Sequence, residues 1–379
     1  MYQIKGKIDS NNAPEFEKEM MAALPTEIDA SQLEYISSAG LRVLMKLRKA
    51  VGEVTLNNVS IDVYEVLDVT GFTSILNVKK ALREISVEGK KVLGKGGNGT
   101  VYRLDDETIV KVYSTKHSLE VIDRERAYAK AAFIAGIPTA IAFDTVKVGD
   151  RYGVIFEAMN SDTLGHAIAN EPERRDEYIM KYAALAKQLH TTTIDDGSVA
   201  ALKDLLMKRA DDPVMAQFCS GSEIDTLKAI VNSMADCDTL VHGDLHPGNI
   251  MINNGELMLI DMGELTRGLP IYDLASIYRD LMVGSKSDPE TTARSIGMSP
   301  ELCMEVGQKF FAMYSGMTDP QQLEQHLKMI GLVFAFNVVL LIPDFPEAAQ
   351  RGPAIIQNLM HPVVMPNADT LKYILSKKS

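Results

Sequence analysis

Cysteine is scarce. The 379 residues hold three, Cys219, Cys237 and Cys303. They lie far apart with no second Cys or His at ligand spacing, which excludes a disulfide framework and a cysteine zinc site and fits a reducing compartment. A long hydrophobic run is missing too. The longest, Gly331 to Ile342, is shorter than a bilayer span and contains Asn337, so it predicts a buried helix and not a membrane helix. The opening residues MYQIKGKIDSNNAPEF have no basic n-region and no apolar h-region, so no secretory signal is expected and a soluble, cytoplasmic protein is. Positive charge is not in excess either. The formal net charge is −12; acids and bases nearly balance over residues 1–83, so the negative charge resides in the remainder. With no basic stripe to track phosphates, nucleic acid is not an expected partner, and neither is a membrane. What is present is a globular composition, 46% hydrophobic and 24% charged, in a chain long enough for two folded units.

The first eighty residues alternate strand and helix patterns. Tyr2 to Ile8 alternates large apolar and polar residues and ends in Asp9-Ser10-Asn11-Asn12, a strand followed by a helix start. Phe16, Met20, Met21 and Leu24 then recur at helical spacing. Glu27 to Ala30 reads as a short strand leading through Tyr35-Ile36 to Ser37-Ser38-Ala39-Gly40. In the run LRVLMKLRKAV, Leu41, Leu44, Leu47 and Val51 share one face, and Arg42, Lys46 and Lys49 another, as an amphipathic helix requires. Val54 to Leu56 is a further strand, and Ile61 to Val66 a further helix before a turn at Thr70-Gly71-Phe72.

The phrases YISSAGLRVL and VTLNNVSIDVYEVLDVTGF resemble the STAS domain of bacterial anti-sigma factor antagonists over roughly residues 1–82. The resemblance places Ser38 at the position phosphorylated in many members and implies a protein partner for this domain. A phosphate at a helix start would add nearly two negative charges beside free N–H groups. The alternative use of Ser38 is as a helix N-cap.

From Val92 onward the chemistry changes. Gly94-Lys95-Gly96-Gly97-Asn98-Gly99-Thr100-Val101 fits G-x-G-x-x-G-x-V with an extra glycine. Val101 to Leu104 and Thr108 to Tyr113 come next, joined by Asp105-Asp106-Glu107, and they read as two strands with no helix. That predicts a glycine-rich hairpin over nucleotide phosphates and not a dinucleotide turn. Lys111 lies inside the second strand, where an unpaired ammonium is costly, so it needs an anionic partner. ATP phosphates and Glu125, in the helical stretch 118–135, are the candidates. The strongest pattern is His242-Gly243-Asp244-Leu245-His246-Pro247-Gly248-Asn249, followed by an apolar strand and Asp261-Met262-Gly263. Phosphoryl transfer needs a carboxylate to orient a hydroxyl and accept its proton, the expected role of Asp244. It also needs oxygen ligands for magnesium, expected from Asn249 and Asp261. His242 and His246 stand at zinc-pair spacing, but Pro247-Gly248 interrupts the helix such a pair requires and no third ligand is evident.

These motifs, in this order, resemble a protein-kinase-like fold, and HGDLHPGN resembles its aminoglycoside phosphotransferase and choline kinase branch. His246 and Gly243 replace the Lys and Arg usual in protein kinases, and residues 261–273 are too few for a long activation segment. The resemblance implies that Asp273 supports the catalytic loop and that Glu157 C=O and Met159 N–H meet the adenine edge. It also implies that C-terminal helices shape an acceptor pocket, where Asp280, Asp288, Glu290 and Glu305 either face a cationic acceptor or lie on solvated helix faces.

The expected architecture is α+β. A small α/β STAS-like regulatory domain (1–83) precedes a bilobal kinase-like fold with a β-rich N-lobe and hinge (84–160) and a helical C-lobe (161–379). The expected function is ATP- and Mg²⁺-dependent transfer of the γ-phosphate to a hydroxyl of a small molecule. Two alternatives stand beside it: a protein serine kinase acting on a STAS serine in cis or trans, and a nucleotide-binding STAS adaptor with little catalysis.

Overall fold

The computed structural model describes residues 1–159, 162–345 and 347–377. They divide into two compact units, one of residues 1–86 with 146–150 and one of residues 87–145 with 151 onward. The expected lobe boundary at 160/161 lies outside the described residues.

The first unit is built by strand and helix in alternation: β1 (Tyr2–Ile8), α1 (Ala13–Ala23), β2 (Glu27–Ile36), α2 (Ser38–Val51), β3 (Thr55–Val59), α3 (Ile61–Val69), β4 (Asn77–Lys80) and the short β5 (Arg83–Glu84). Strands β1 to β4 lie side by side in chain order, all parallel, as helical crossovers between successive strands require. Leu41, Leu44 and Leu47 on α2 are buried against Ile8, Ile28, Ile36 and Leu56. A Cβ at Gly40 would stand 2.7 Å from side-chain carbons of both Ile36 and Ile8, so only glycine lets α2 sit this close to the sheet.

Two expectations are corrected by this unit. The second strand does not stop near Ala30 but runs to Ile36. Beyond Asp29 it pairs with β1 alone, so much of Ser31 to Tyr35 is exposed and polar and shows no apolar run to read. The helix cap is Ser37, whose Oγ accepts from Gly40 N at 3.4 Å. Ser38 is the first helical residue and is exposed, so its hydroxyl does not cap.

In the second unit, β6 (Val92–Lys95), β7 (Gly99–Arg103) and β8 (Thr108–Tyr113) lead to α4 (Leu119–Ile134), β9 (Ala142–Val148), whose residues from Val146 on count with the first unit, and β10 (Arg151–Glu157). The sheet here runs β10-β8-β7-β6 with antiparallel pairing. A helical region comes after it: α5 (Leu164–Asn170), α6 (Arg175–Thr191), α7 (Leu202–Ala210) and α8 (Gly221–Asn232). The short strands β11 (Leu240–Val241), β12 (Ile250–Asn253), β13 (Glu256–Leu259) and β14 (Thr266–Arg267) come next, then α9 (Ile271–Tyr278) and a π-helical turn over Arg279–Gly284. The chain ends in α10 (Ser285–Ser287), α11 (Pro289–Ile296), α12 (Pro300–Ser315), α13 (Pro320–Leu340), α14 (Ala348–Ile355) and α15 (Ala368–Leu375). Tyr182 of α6, Phe310 and Phe311 of α12 and Phe336 of α13 are wholly buried in one core. The buried Tyr182 hydroxyl donates to Leu245 O at 2.7 Å, which fixes the loop after β11 to that core.

Among the described residues one helix, α13, is long and apolar enough to cross a membrane. It holds the apolar run that begins at Gly331, and Ile330, Val333, Phe336, Val339 and Leu340 on it are buried in the protein core.

Candidate active site

The glycine-rich segment is an antiparallel hairpin, as expected from strands on both sides of it. Gly94 pairs with Val101 and Lys95 with Thr100 across β6 and β7, and Gly96 N donates to Gly99 O at 2.9 Å. Lys95, Gly96 and Gly97 are exposed, and nothing lies within 4 Å of a Cβ built at Gly96 or Gly97. Gly99 differs: its Cβ would fall 2.2 Å from Val112 O, so a side chain there would push β7 off β8. Bare backbone at the hairpin tip is free to approach anionic oxygens.

Lys111 points from β8 to two carboxylates, one buried and one half-buried. Its Nζ lies 2.8 Å from Glu125 Oε1 on α4 and 3.0 Å from Asp261 Oδ1. Burial pulls the ammonium pKa down, but the charges of Glu125 and Asp261 outweigh it and hold Lys111 above its ordinary value. Glu125 is pushed upward by burial, against the opposing pull of Lys111. Asp261 has φ 62° and ψ 61°, a left-handed conformation that a non-glycine residue keeps only where its surroundings impose it.

The loop after β11 carries the second carboxylate. Asp244 Oδ1 accepts from Arg279 Nη2 at 2.6 Å, and its Oδ2 accepts from Asn249 Nδ2 at 3.0 Å with His246 Nε2 at 3.5 Å. Burial works to raise the Asp244 pKa, but His246 and Arg279 overcome it and hold the carboxyl well below the usual range. The loop's shape comes from Asp273 on α9. Its buried carboxylate accepts from His242 N and Gly243 N, both at 2.7 Å, and lies 3.0 Å from His190 Nε2. Gly243 has φ 86°, and a Cβ there would meet Glu264 at 2.8 Å, so the turn needs glycine on both counts.

Asn249 and Asp261 are neighbours through the backbone, where Ile260 N donates to Asn249 O at 3.0 Å. Asn249 uses its amide NH₂ on Asp244 O and Oδ2, which leaves its Oδ1 unengaged among the described residues. Asp261 has one oxygen on Lys111 and the other without a partner among them. These are hard oxygen donors of the kind magnesium takes alongside phosphate oxygens. The two histidines are engaged elsewhere. His242 Nε2 meets Ile260 O at 3.0 Å and its Nδ1 accepts from Asp244 N, while His246 Nδ1 accepts from Gly248 N at 3.1 Å.

A cleft of about 630 Å³ is lined by Gly94, Val101, Ile109, Met159 and Met251. Next to it, Lys111, Glu125 and Asp261 share a smaller cavity with Val101 and Met159. Glu157 lines neither; its carboxylate instead lies 3.5 Å from Ile141 N. Of the acids considered for a cationic acceptor, Asp280 pairs with Arg279, Asp288 caps α11, and Glu305 pairs with Lys309, while Glu290 is exposed. Three residues that sequence reasoning missed stand near Asp244. They are Arg279, and Arg209 and Thr266, which line a third cavity with it. No local motif marks them.

Residues 90–296 match the model of the phosphotransferase enzyme family, and residues 1–85 match that of the STAS domain. A Bordetella bronchiseptica protein described as a putative anti-sigma factor antagonist, BtrV, is 33% identical over 99 residues, covering 24% of this chain and 85% of that protein. Among solved structures, the ADP-bound aminoglycoside phosphotransferase APH(2'')-Ib aligns at 17% identity and a TM-score of 0.47, over 72% of this chain and 93% of its own. A choline/ethanolamine kinase family protein from Mesorhizobium loti aligns at 12% identity and a TM-score of 0.45, over 76% and 92%.

Proposed function

Because this chain belongs to the phosphotransferase enzyme family and carries an N-terminal STAS domain, we propose that it moves the γ-phosphate of ATP, with Mg²⁺, to a hydroxyl of a small molecule. Residues 84–160 would be the lobe that covers the nucleotide, residues 161–379 the lobe of the catalytic loop and acceptor pocket, and residues 1–83 a regulatory or partner-binding domain. The observation that carries this reading is a pair of held carboxylates on adjoining loops: Asp261 at Lys111 and Asp244 at Asn249.

In this reading Gly94, Lys95, Gly96, Gly97 and Gly99 present hairpin backbone to the phosphates, and Val101 and Met159 border the base, with the Met159 N–H and Glu157 C=O at its edge. Lys111, kept charged and aimed by Glu125, meets phosphate oxygens. Asn249 and Asp261 would hold magnesium, which when bound neutralises charge on the phosphates. Asp244 orients the acceptor hydroxyl. The hydroxyl oxygen forms the new bond to the γ-phosphorus as the bond to the ADP oxygen breaks. A carboxylate held this acidic takes the proton late, which suits a loose transition state with little early demand for a base.

His246 and, after it, Arg279 set that acidity. Asp244 keeps its base form as pH falls because its pKa is depressed. Arg279→Gln removes a cation, the pKa climbs toward its ordinary value, and the acid limb of kcat/KM moves to higher pH. Loss of positioning should also lower kcat, by up to about a hundredfold. A pH–rate profile identical to wild type would remove Arg279 from this role.

The reading is tested with γ-labelled ATP and Mg²⁺ in a cell extract separated into small-molecule and protein fractions. Label in a small molecule is expected, and no label in either fraction would overturn it. A second reading, phosphorylation of a STAS serine, has support in the exposed Ser38, which leaves the capping to Ser37. Label on protein that disappears in Ser38→Ala would put that reading first.

A further inference from the structure

The third cavity, about 150 Å³, is lined by Asp244 and Arg279 but by none of the residues that line the 630 Å³ cleft or the smaller cavity at Lys111. It is therefore an approach to Asp244 separate from both. Most of its wall offers nothing to a polar molecule. Leu202, Leu205, Val241 and Leu341 bring only hydrocarbon side chains. Arg209 is paired with Asp344, and Arg279 with Asp244 and Asp280. Thr266 Oγ1 is sealed from water, and Glu264 is exposed to bulk solvent.

Asn337 is the exception. It is the one polar side chain in the run Gly331 to Ile342, and it lies on α13 one turn before Leu341, on the face that lines the cavity. The residue is half-buried. Its side-chain amide has no hydrogen-bond partner among the described residues, yet neither amide atom is sealed from water. Leucine or alanine at this position would form the helix better and would take no amide out of water. Nothing in the described fold uses the amide, so its presence costs stability without a return inside the protein. An amide offers both donors and an acceptor, and here it stands on the wall that Asp244 shares.

Resting on the phosphotransferase reading, we propose that Asn337 binds the acceptor: its amide exchanges a hydrogen bond with a polar group other than the hydroxyl under Asp244, and so fixes how the reacting hydroxyl is presented. In the test, the full-length protein with ATP and Mg²⁺ is given the small-molecule fraction of a cell extract. The compound that takes label with the wild type is isolated from that fraction and serves as the acceptor in initial-rate assays. Asn337→Leu, which keeps the bulk of the side chain and loses the amide, should raise the KM for that compound by about three- to tenfold. Its KM for ATP should stay as in the wild type, and its melting temperature should be unchanged or higher. Asn337→Ala, which is smaller, should raise the acceptor KM as well, so that the shape of leucine is not the cause. An amide with a structural role gives the opposite pattern in Asn337→Leu, a lower melting temperature with acceptor and ATP kinetics moving together. That pattern, or an acceptor KM unmoved in either variant, overturns the assignment of Asn337 and leaves the phosphotransferase standing. No label in any small molecule with the wild type overturns the phosphotransferase reading itself, and the role of Asn337 with it.

Discussion

Asp244→Ala is expected to bind ATP as wild type does and to transfer phosphate roughly two to four orders of magnitude more slowly, the range for removal of a general base. The two effects separate because of the groups the carboxylate touches. Its hydrogen-bond and ion-pair partners among the described residues are Arg279, His246 and Asn249, not Lys111 or Glu125, the residues proposed to serve the nucleotide. Nor should the fold suffer. Arg279 keeps Asp280 at 2.8 Å, so no guanidinium is stranded, and the backbone of the loop stays fixed by Asp273 through His242 N and Gly243 N. Titration with a non-hydrolysable ATP analogue and single-turnover rates check the two halves. If analogue affinity falls as far as the rate, Asp244 belongs to nucleotide binding and the assignment fails.

The parts of this site that sequence discloses are those whose chemistry demands particular residues at short, fixed spacing. Asp244 and Asn249 sit on one turn, so their hydrogen bond is a local fact. A lysine inside an apolar strand announces that a carboxylate must come to it, and Glu125 does, at 2.8 Å. Arg279 is different. It comes after α9 on a π-helical turn, 35 residues from the Asp244 it binds, and neither the turn nor the partner leaves a periodic trace. Arg209 and Thr266 line one cavity with Asp244, Asn337 of α13 and Leu341 just beyond its end, so tertiary packing alone brings them together. The same limit explains the STAS serines. Two adjacent hydroxyls before a helix read alike, and the φ of −88° and ψ of 171° at Ser37 decides which one caps. Strand β2 is half legible for a related reason, since its later residues have a neighbouring strand on one side and solvent along much of the rest.

Asp261→Ala is expected to raise steeply the Mg²⁺ concentration that turnover needs and to reduce the rate by at least about a hundredfold, as removal of one preorganised electrostatic group does. The reason is charge. Asp261 brings a carboxylate to a place where Asn249 can offer only a neutral oxygen, so the variant leaves no anionic ligand there. Lys111 remains paired with Glu125, and burial of that pair does not depend on Asp261. Removal of the Asp261 charge takes away one of the two anions that hold Lys111 up, but it also relieves Glu125, which that charge pushes upward, so Glu125 remains as the carboxylate partner of Lys111. The left-handed backbone at Asp261 is a separate liability, because alanine tolerates it less well than asparagine. Asp261→Asn therefore serves as the second variant: it keeps the turn and the size of the side chain and loses the charge. Both variants should need far more Mg²⁺ for half-maximal rate, with metal-free nucleotide binding little altered. Asp261→Asn with wild-type Mg²⁺ dependence would remove Asp261 from the metal site, and the free oxygen of Asn249 would then lack the partner on which the magnesium assignment depends.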